Sequence, residues 1–195
     1  MSSILGHSLA GMSVWALGRR LPALKPLEQR AWLAAAAVAA CLPDLDALLG
    51  LPHRGATHTA GFALTIGALA GLVTAAWGLK KEAPWVAALF ALIVWTHPAL
   101  DLLTGGGPDV ALFRPFWSHE FQPLPGGLPL TAYTSEWGGL FGILFNPWTI
   151  WAMLVEAAIF GLLFTATVVP RRYLQIALPL IAAAVWILLA VVAAR

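Results

Sequence analysis

The hydrophobic positions of this chain fall in continuous blocks, not in the one-sided stripe of a soluble helix. Residues 4–17, 31–42, 59–79, 83–103, a block from 140 or 147 to 169, and 174–194 are almost free of charge. A bilayer core about 30 Å thick takes roughly 20 apolar residues per helix. The pattern therefore predicts an all-α fold: a polytopic helical membrane protein with about six membrane-embedded helices, forming one domain over residues 1–195. The first block carries a small-residue face (Gly6, Ser8, Ala10, Gly11, Ser13) suited to close helix contact. Pro43 ends or breaks the second helix, and Thr57 is placed to cap the third. Between them, residues 105–139 form a long Gly- and Pro-rich segment with Phe113, Phe116, Trp117 and Phe121 interleaved. A loop of that length in a small membrane domain points to function, here as a lid.

Composition sharpens the class. Hydrophobic residues make up 60% and charged residues only 10%, against roughly 25% charged in soluble domains; the mean hydropathy is +0.82. A net charge of +2 is too small for nucleic acid as a partner. Cys41 is the single cysteine, so no disulfide framework exists. The N-terminus lacks the basic start of a cleaved signal, and His7 interrupts it, so residues 1–20 read as a retained helix.

Alternating the six helices across the membrane sorts the charges. Arg19, Arg20, Lys25, Arg30, Lys80, Lys81, Arg171 and Arg172 fall on one side, and only Arg54, Arg114 and Arg195 on the other. The positive-inside rule makes the first side cytoplasmic. Every His and all four Asp then gather at the exterior side: His7, Asp44, Asp46, His53, His58, His97, Asp101, Asp109 and His119, with Glu120 and Glu136.

Within that set, His97 and Asp101 stand four residues apart at the end of an uncharged run, so their side chains leave one helix face a turn apart. An imidazole and a carboxylate so placed form half of a metal site. His7, Asp44, Asp46 and His58 are the further candidate ligands. Asp44 and Asp46 would diverge on a regular helix, but a break at Pro43 lets both turn inward. Asp44, Asp46 and His119 are candidates for catalytic work, with His119 also open to a metal role. His53, Arg54 and Arg114 are candidates for substrate contact; Arg54 suits a phosphate bidentately, or equally Asp44 or Asp46. Glu156, near the middle of the fifth block, is either functional or a hydrogen-bonded packing group.

Gly6-His7, Leu42-Pro43-Asp44-Leu45-Asp46, His53-Arg54-Gly55-Ala56-Thr57-His58-Thr59, His97-x-x-x-Asp101-Leu102-Leu103-Thr104 and Arg114-Pro115-Phe116 resemble the motif series of the YdjM family. The resemblance covers about the first 120 residues and implies an inner-membrane, metal-dependent hydrolase of a bacterial or archaeal cell. Where the family pattern often has Asp-Pro, this chain has Asn146-Pro147. The motif order is also similar to the zinc-dependent phospholipase C and P1-type nuclease group. That likeness implies a metal held by Asp44 or Asp46, His58, His97 and Asp101, with His7 reaching a neighbouring ion.

Imidazole and carboxylate donors suit zinc, and also manganese or iron, as one or two divalent ions. A site at the helix ends lies at headgroup depth, where a lipid or other amphiphilic substrate meets it without leaving the bilayer. Hydrolysis of a lipid-borne ester or phosphoester is the function expected. The rivals are a non-catalytic protein whose helices a metal staples together, a metal transporter, for which only Glu156 sits deep, and a haem protein, which needs facing His pairs.

Overall fold

A computed structural model describes residues 3–25, 27, 29–104, 107–123 and 147–169. Its elements in order are α1 (Ile4–Gly18), α2 (Gln29–Ala40), α3 (Leu45–Leu48), α4 (Ala60–Ala76), α5 (Ala83–Thr104) and α6 (Pro147–Val168). Single 3-10 turns at Pro22–Leu24, Leu42–Asp44 and Ala56–His58 join them. Among the described residues the architecture is all-helical, as the blocks predict, and the one pairing between extended segments is an isolated bridge from Val110 to Phe121. The expected sixth helix at 174–194 lies outside the described residues, as do Glu136, Arg171, Arg172, Arg195 and most of the 105–139 segment beyond Pro123.

The expectation of six spans is not met among these residues. Only α5 is long and apolar enough to cross a membrane. At about 1.5 Å per residue, α1, α2 and α4 reach roughly 18–26 Å, short of the hydrocarbon core. The apolar blocks overestimate helix length because their ends are spent on turns. The third block, 59–79, is helical only over Ala60–Ala76; the 3-10 turn Ala56–His58 precedes it, and Thr59, not Thr57, caps α4 by accepting from the Phe62 amide at 3.2 Å. Two more amides at that end donate to the 107–123 segment: Ala60 to the Leu112 carbonyl at 2.8 Å and Gly61 to the Arg114 carbonyl at 2.9 Å.

Small residues set the packing. A Cβ added at Gly67 would stand 2.5 Å from the Ala87 carbonyl oxygen, and one at Gly71 would stand 2.8 Å from the Ala87 side chain. The Gly67–Gly71 pair thus lets α4 and α5 touch backbone to side chain, the small-xxx-small crossing of membrane helices. Gly11 plays the same part between α1 and α2, where a Cβ would meet Ala40 at 2.6 Å. An apolar core of Trp15, Leu24, Ala36, Val86, Phe90 and Ile93 fills the space among α1, α2 and α5, with Trp15 stacked on Trp32. Leu64, Leu69, Leu72, Val73 and Trp77 stay exposed on α4, as a lipid-facing surface does.

Candidate metal centre

Four helix ends converge to build the site. His7 sits in the second turn of α1, Asp44 and Asp46 just after α2, His58 just before α4, and His97 and Asp101 in the last turns of α5. The side chains of His7, His58, His97 and Asp101 are fully buried, Asp46 is nearly so, and Asp44 and His53 are the partly open members at 23% and 14%. The break at Pro43 does turn both carboxylates inward. The basic residues Arg19, Arg20, Lys25, Lys80 and Lys81 lie at the opposite ends of α1, α4 and α5.

Hydrogen bonds fix the ring orientations. His97 Nδ1 lies 2.7 Å from the Ala40 carbonyl oxygen, which can only accept, so Nδ1 carries the proton and also satisfies the last residue of α2. Thr57 donates its hydroxyl proton to Asp46 Oδ2 at 3.1 Å, so the 3.1 Å contact between Thr57 Oγ1 and His58 Nδ1 has the imidazole as donor. His53 Nδ1 donates to Asp46 Oδ1 at 3.1 Å, and the Arg54 amide donates to Asp46 Oδ2 at 3.1 Å. Asp46 is therefore spoken for on both oxygens: it orients two imidazoles and a backbone turn.

The Nε2 atoms of His58 and His97 then face carboxylate oxygen. Asp44 Oδ1 lies 3.3 Å from His97 Nε2 and 4.0 Å from His58 Nε2. Asp101 Oδ2 lies 3.7 Å from His58 Nε2 and 4.0 Å from His97 Nε2. Among the described residues, His58 Nε2, His97 Nε2, Asp44 Oδ1, His53 Nε2 and both nitrogens of His7 are buried without a hydrogen bond. A lone pair held against a carboxylate in a dry site is repulsive unless a cation lies between them, either a proton or a metal. Three carboxylates against the one guanidinium of Arg54 also leave the buried group with two negative charges in excess, counting the imidazoles as neutral.

The donor spacing fits a metal. Tetrahedral zinc with bonds of about 2.0–2.1 Å holds its ligands about 3.3–3.4 Å apart, close to the 3.3–4.0 Å that separate the carboxylates of Asp44 and Asp101 from the Nε2 atoms of His58 and His97. Three overlapping sets (His7 with Asp44 and His97; Asp44 with His53 and His58; His58 with His97 and Asp101) each bring their ligand atoms within 4.8 Å of one another. These buried His and Asp groups could hold a metal ion. His7 adds a stacked ring, 3.5 Å from that of His97, and brings Nε2 to 3.5 Å from Asp101 Oδ1.

Titration follows from these surroundings. Burial and then the charge of His97 push the His58 imidazole down to about 4. Burial works against ionising Asp44, yet the adjacent His97 keeps its carboxyl below the usual range.

Of the candidates for substrate contact, His53 and Arg54 lie within the site and Arg114 does not. The Arg54 guanidinium is buried, with Nε 3.4 Å from Asp101 Oδ2 and Nη1 donating to the Pro108 carbonyl at 2.6 Å. Its partner is thus Asp101, not Asp44 or Asp46. Gly107, at φ +80°, lies flat against that guanidinium, where a Cβ would come within 2.9 Å. His119 is exposed, stacked on Trp117 and edge-on to Phe121, and belongs to none of the ligand sets. Arg114, also exposed, pairs with Glu120 at 3.5 Å. Glu156 is fully buried on α6 and accepts from the Ser3 amide at 2.9 and 2.7 Å and from the Ser3 hydroxyl, clamping the first turn of α1. Only a polar residue deep in an apolar block pointed to that contact.

One family profile, described as YdjM inner membrane protein, matches residues 1–195, well past the first 120 residues that carry the quoted motifs. No curated protein and no solved structure matches the chain.

Proposed function

The chain belongs to the YdjM family of inner-membrane proteins, and from that membership we propose that it is a membrane-embedded, metal-dependent hydrolase of a lipid-borne ester, with a phosphoester the favoured case. The observation that carries this reading is the set of buried imidazole Nε2 atoms facing Asp44 and Asp101 in a site rich in carboxylates. Asp44, His58, His97 and Asp101 would hold the ion, zinc being the best match and manganese or iron compatible. When bound, it supplies Lewis acidity at the ester and a nucleophile at neutral pH.

The protein's own groups divide the remaining work. Asp46 fixes His53 through its Nδ1 proton and His58 by way of the Thr57 hydroxyl, the outer support that orients metal ligands. His53 presents Nε2 beside the partly open Asp44 and is the group placed to move a proton there. Hydrolysis adds water across the ester bond, and the departing alcohol takes up one proton. Leu45, Leu49 and Leu51 are exposed on the same connector, a rim suited to an acyl or isoprenoid chain. The basic residues at the opposite helix ends support an outer-face position for this site under the positive-inside rule.

A second reading has its own support. Four protein donors suffice to close a tetrahedron, as structural zinc sites do, and the ion would then staple the helix ends without turnover. Assaying purified protein, loaded in turn with zinc, manganese and iron, on phospholipids and isoprenoid phosphates separates the two. The hydrolase reading expects turnover that Asp44→Asn abolishes. Metal-loaded wild type that cleaves no lipid ester would leave the staple.

A further inference from the structure

At the end of α1 away from the metal centre, a cavity of about 520 Å³ lies between α1 and α6. It is lined by Ala16, Arg19, Arg20, Lys25, Thr167 and Val168. Arg20 donates from Nη2 to the Thr167 carbonyl at 2.9 Å, which ties the two helices together and quiets a carbonyl that would repel an anion. No carboxylate is among the described lining residues, and none of the three cations pairs with one among the described residues. Three like charges turned toward one concave space repel unless an anion joins them. With α1 about 22 Å long, this end lies near the headgroups of the leaflet opposite the metal centre.

We propose that this cavity binds a phosphate-bearing anion, the headgroup of an acidic phospholipid being its natural source in a bilayer. Arg19, Arg20 and Lys25 share the phosphate charge, and the apolar flank formed by Ala16 and Val168 leads toward the acyl region. The inference stands apart from the hydrolase reading, since it needs no metal and no turnover.

Native mass spectrometry tests it, on protein in nanodiscs of phosphatidylcholine with or without phosphatidylglycerol, and on detergent-solubilised protein given inorganic phosphate. Wild type should retain phosphatidylglycerol over phosphatidylcholine, and added salt should strip it. Each basic residue near a membrane surface is worth about a fivefold change in binding. The combined variant R19Q/R20Q/K25Q should therefore weaken retention about a hundredfold, whereas K80Q/K81Q, which removes charge at the same membrane side but outside the cavity, should leave it unchanged. Inorganic phosphate bound with no lipid preference, and lost in the triple variant, would name the free anion as the source. Equal retention of both lipids without phosphate binding, retention insensitive to salt, or an unaffected triple variant would each overturn the proposal. The salt titration needs no variant and decides even if the triple substitution fails to fold.

Discussion

Asp46 and Asp44 are two residues apart and do different work. Asp44 turns Oδ1 toward the Nε2 atoms of two imidazoles, while Asp46 accepts from His53, the Arg54 amide and Thr57. Asp46→Asn keeps every direct donor but removes the carboxylate that orients His53 and His58. It should cost about 10–100-fold in metal affinity, measured by competition with a chromophoric chelator; an unchanged affinity would remove Asp46 from that role. His58 sets the pH response. Its imidazole falls from an ordinary 6.5 to about 4 in the folded protein. At His58 the unfolded chain therefore binds more protons between those values, and this contribution to stability drops as pH falls from 6.5 toward 4. Thermal melts of the metal-free protein in detergent across that window should show a falling Tm, and His58→Gln should flatten the slope.

The helices and turns were unequally legible. The i, i+4 spacing of His97 and Asp101, and the gathering of His and Asp at alternate helix ends, follow from helix geometry, so the core of the site could be read directly. Arg54 could not be assigned its partner, because the contact with Asp101 depends on a left-handed turn at φ 62° and on Gly107 packed beneath the guanidinium. The ring contacts of His119 were not legible either, because the sequence does not show how a loop imidazole packs, here on Trp117 and Phe121. Helix length was overread because hydropathy does not register where a chain turns into a 3-10 cap. The crossing of α4 and α5 is open to direct test. Gly67→Ala pushes a methyl to 2.5 Å from the Ala87 carbonyl oxygen and should cost about 1–3 kcal/mol. Gly161→Ala on α6, with nothing within 4 Å, should be neutral or stabilising by up to about 1 kcal/mol. Equal melting shifts for the two would refute the close crossing.

Across the whole molecule, the metal centre draws on both ends of the sequence's first hundred residues, and Glu156 extends that reach to α6. It holds Ser3, whose carbonyl accepts from the His7 amide at 3.0 Å. Glu156→Gln turns one acceptor into a donor facing the Ser3 donors and should cost about 1–3 kcal/mol, read from thermal melts. Wild-type stability in that variant would mean that α6 does not brace α1. The four converging helix ends and the buried cluster of carboxylates and imidazoles support the proposal of a metal ion at the centre. Metal analysis of the detergent-purified protein by mass spectrometry, wild type beside His97→Ala, measures it directly. The account predicts at least about one divalent ion per folded wild-type chain and a loss of about tenfold or more in the variant. A folded wild type that carries no divalent ion, even after incubation with zinc, manganese or iron, would contradict it.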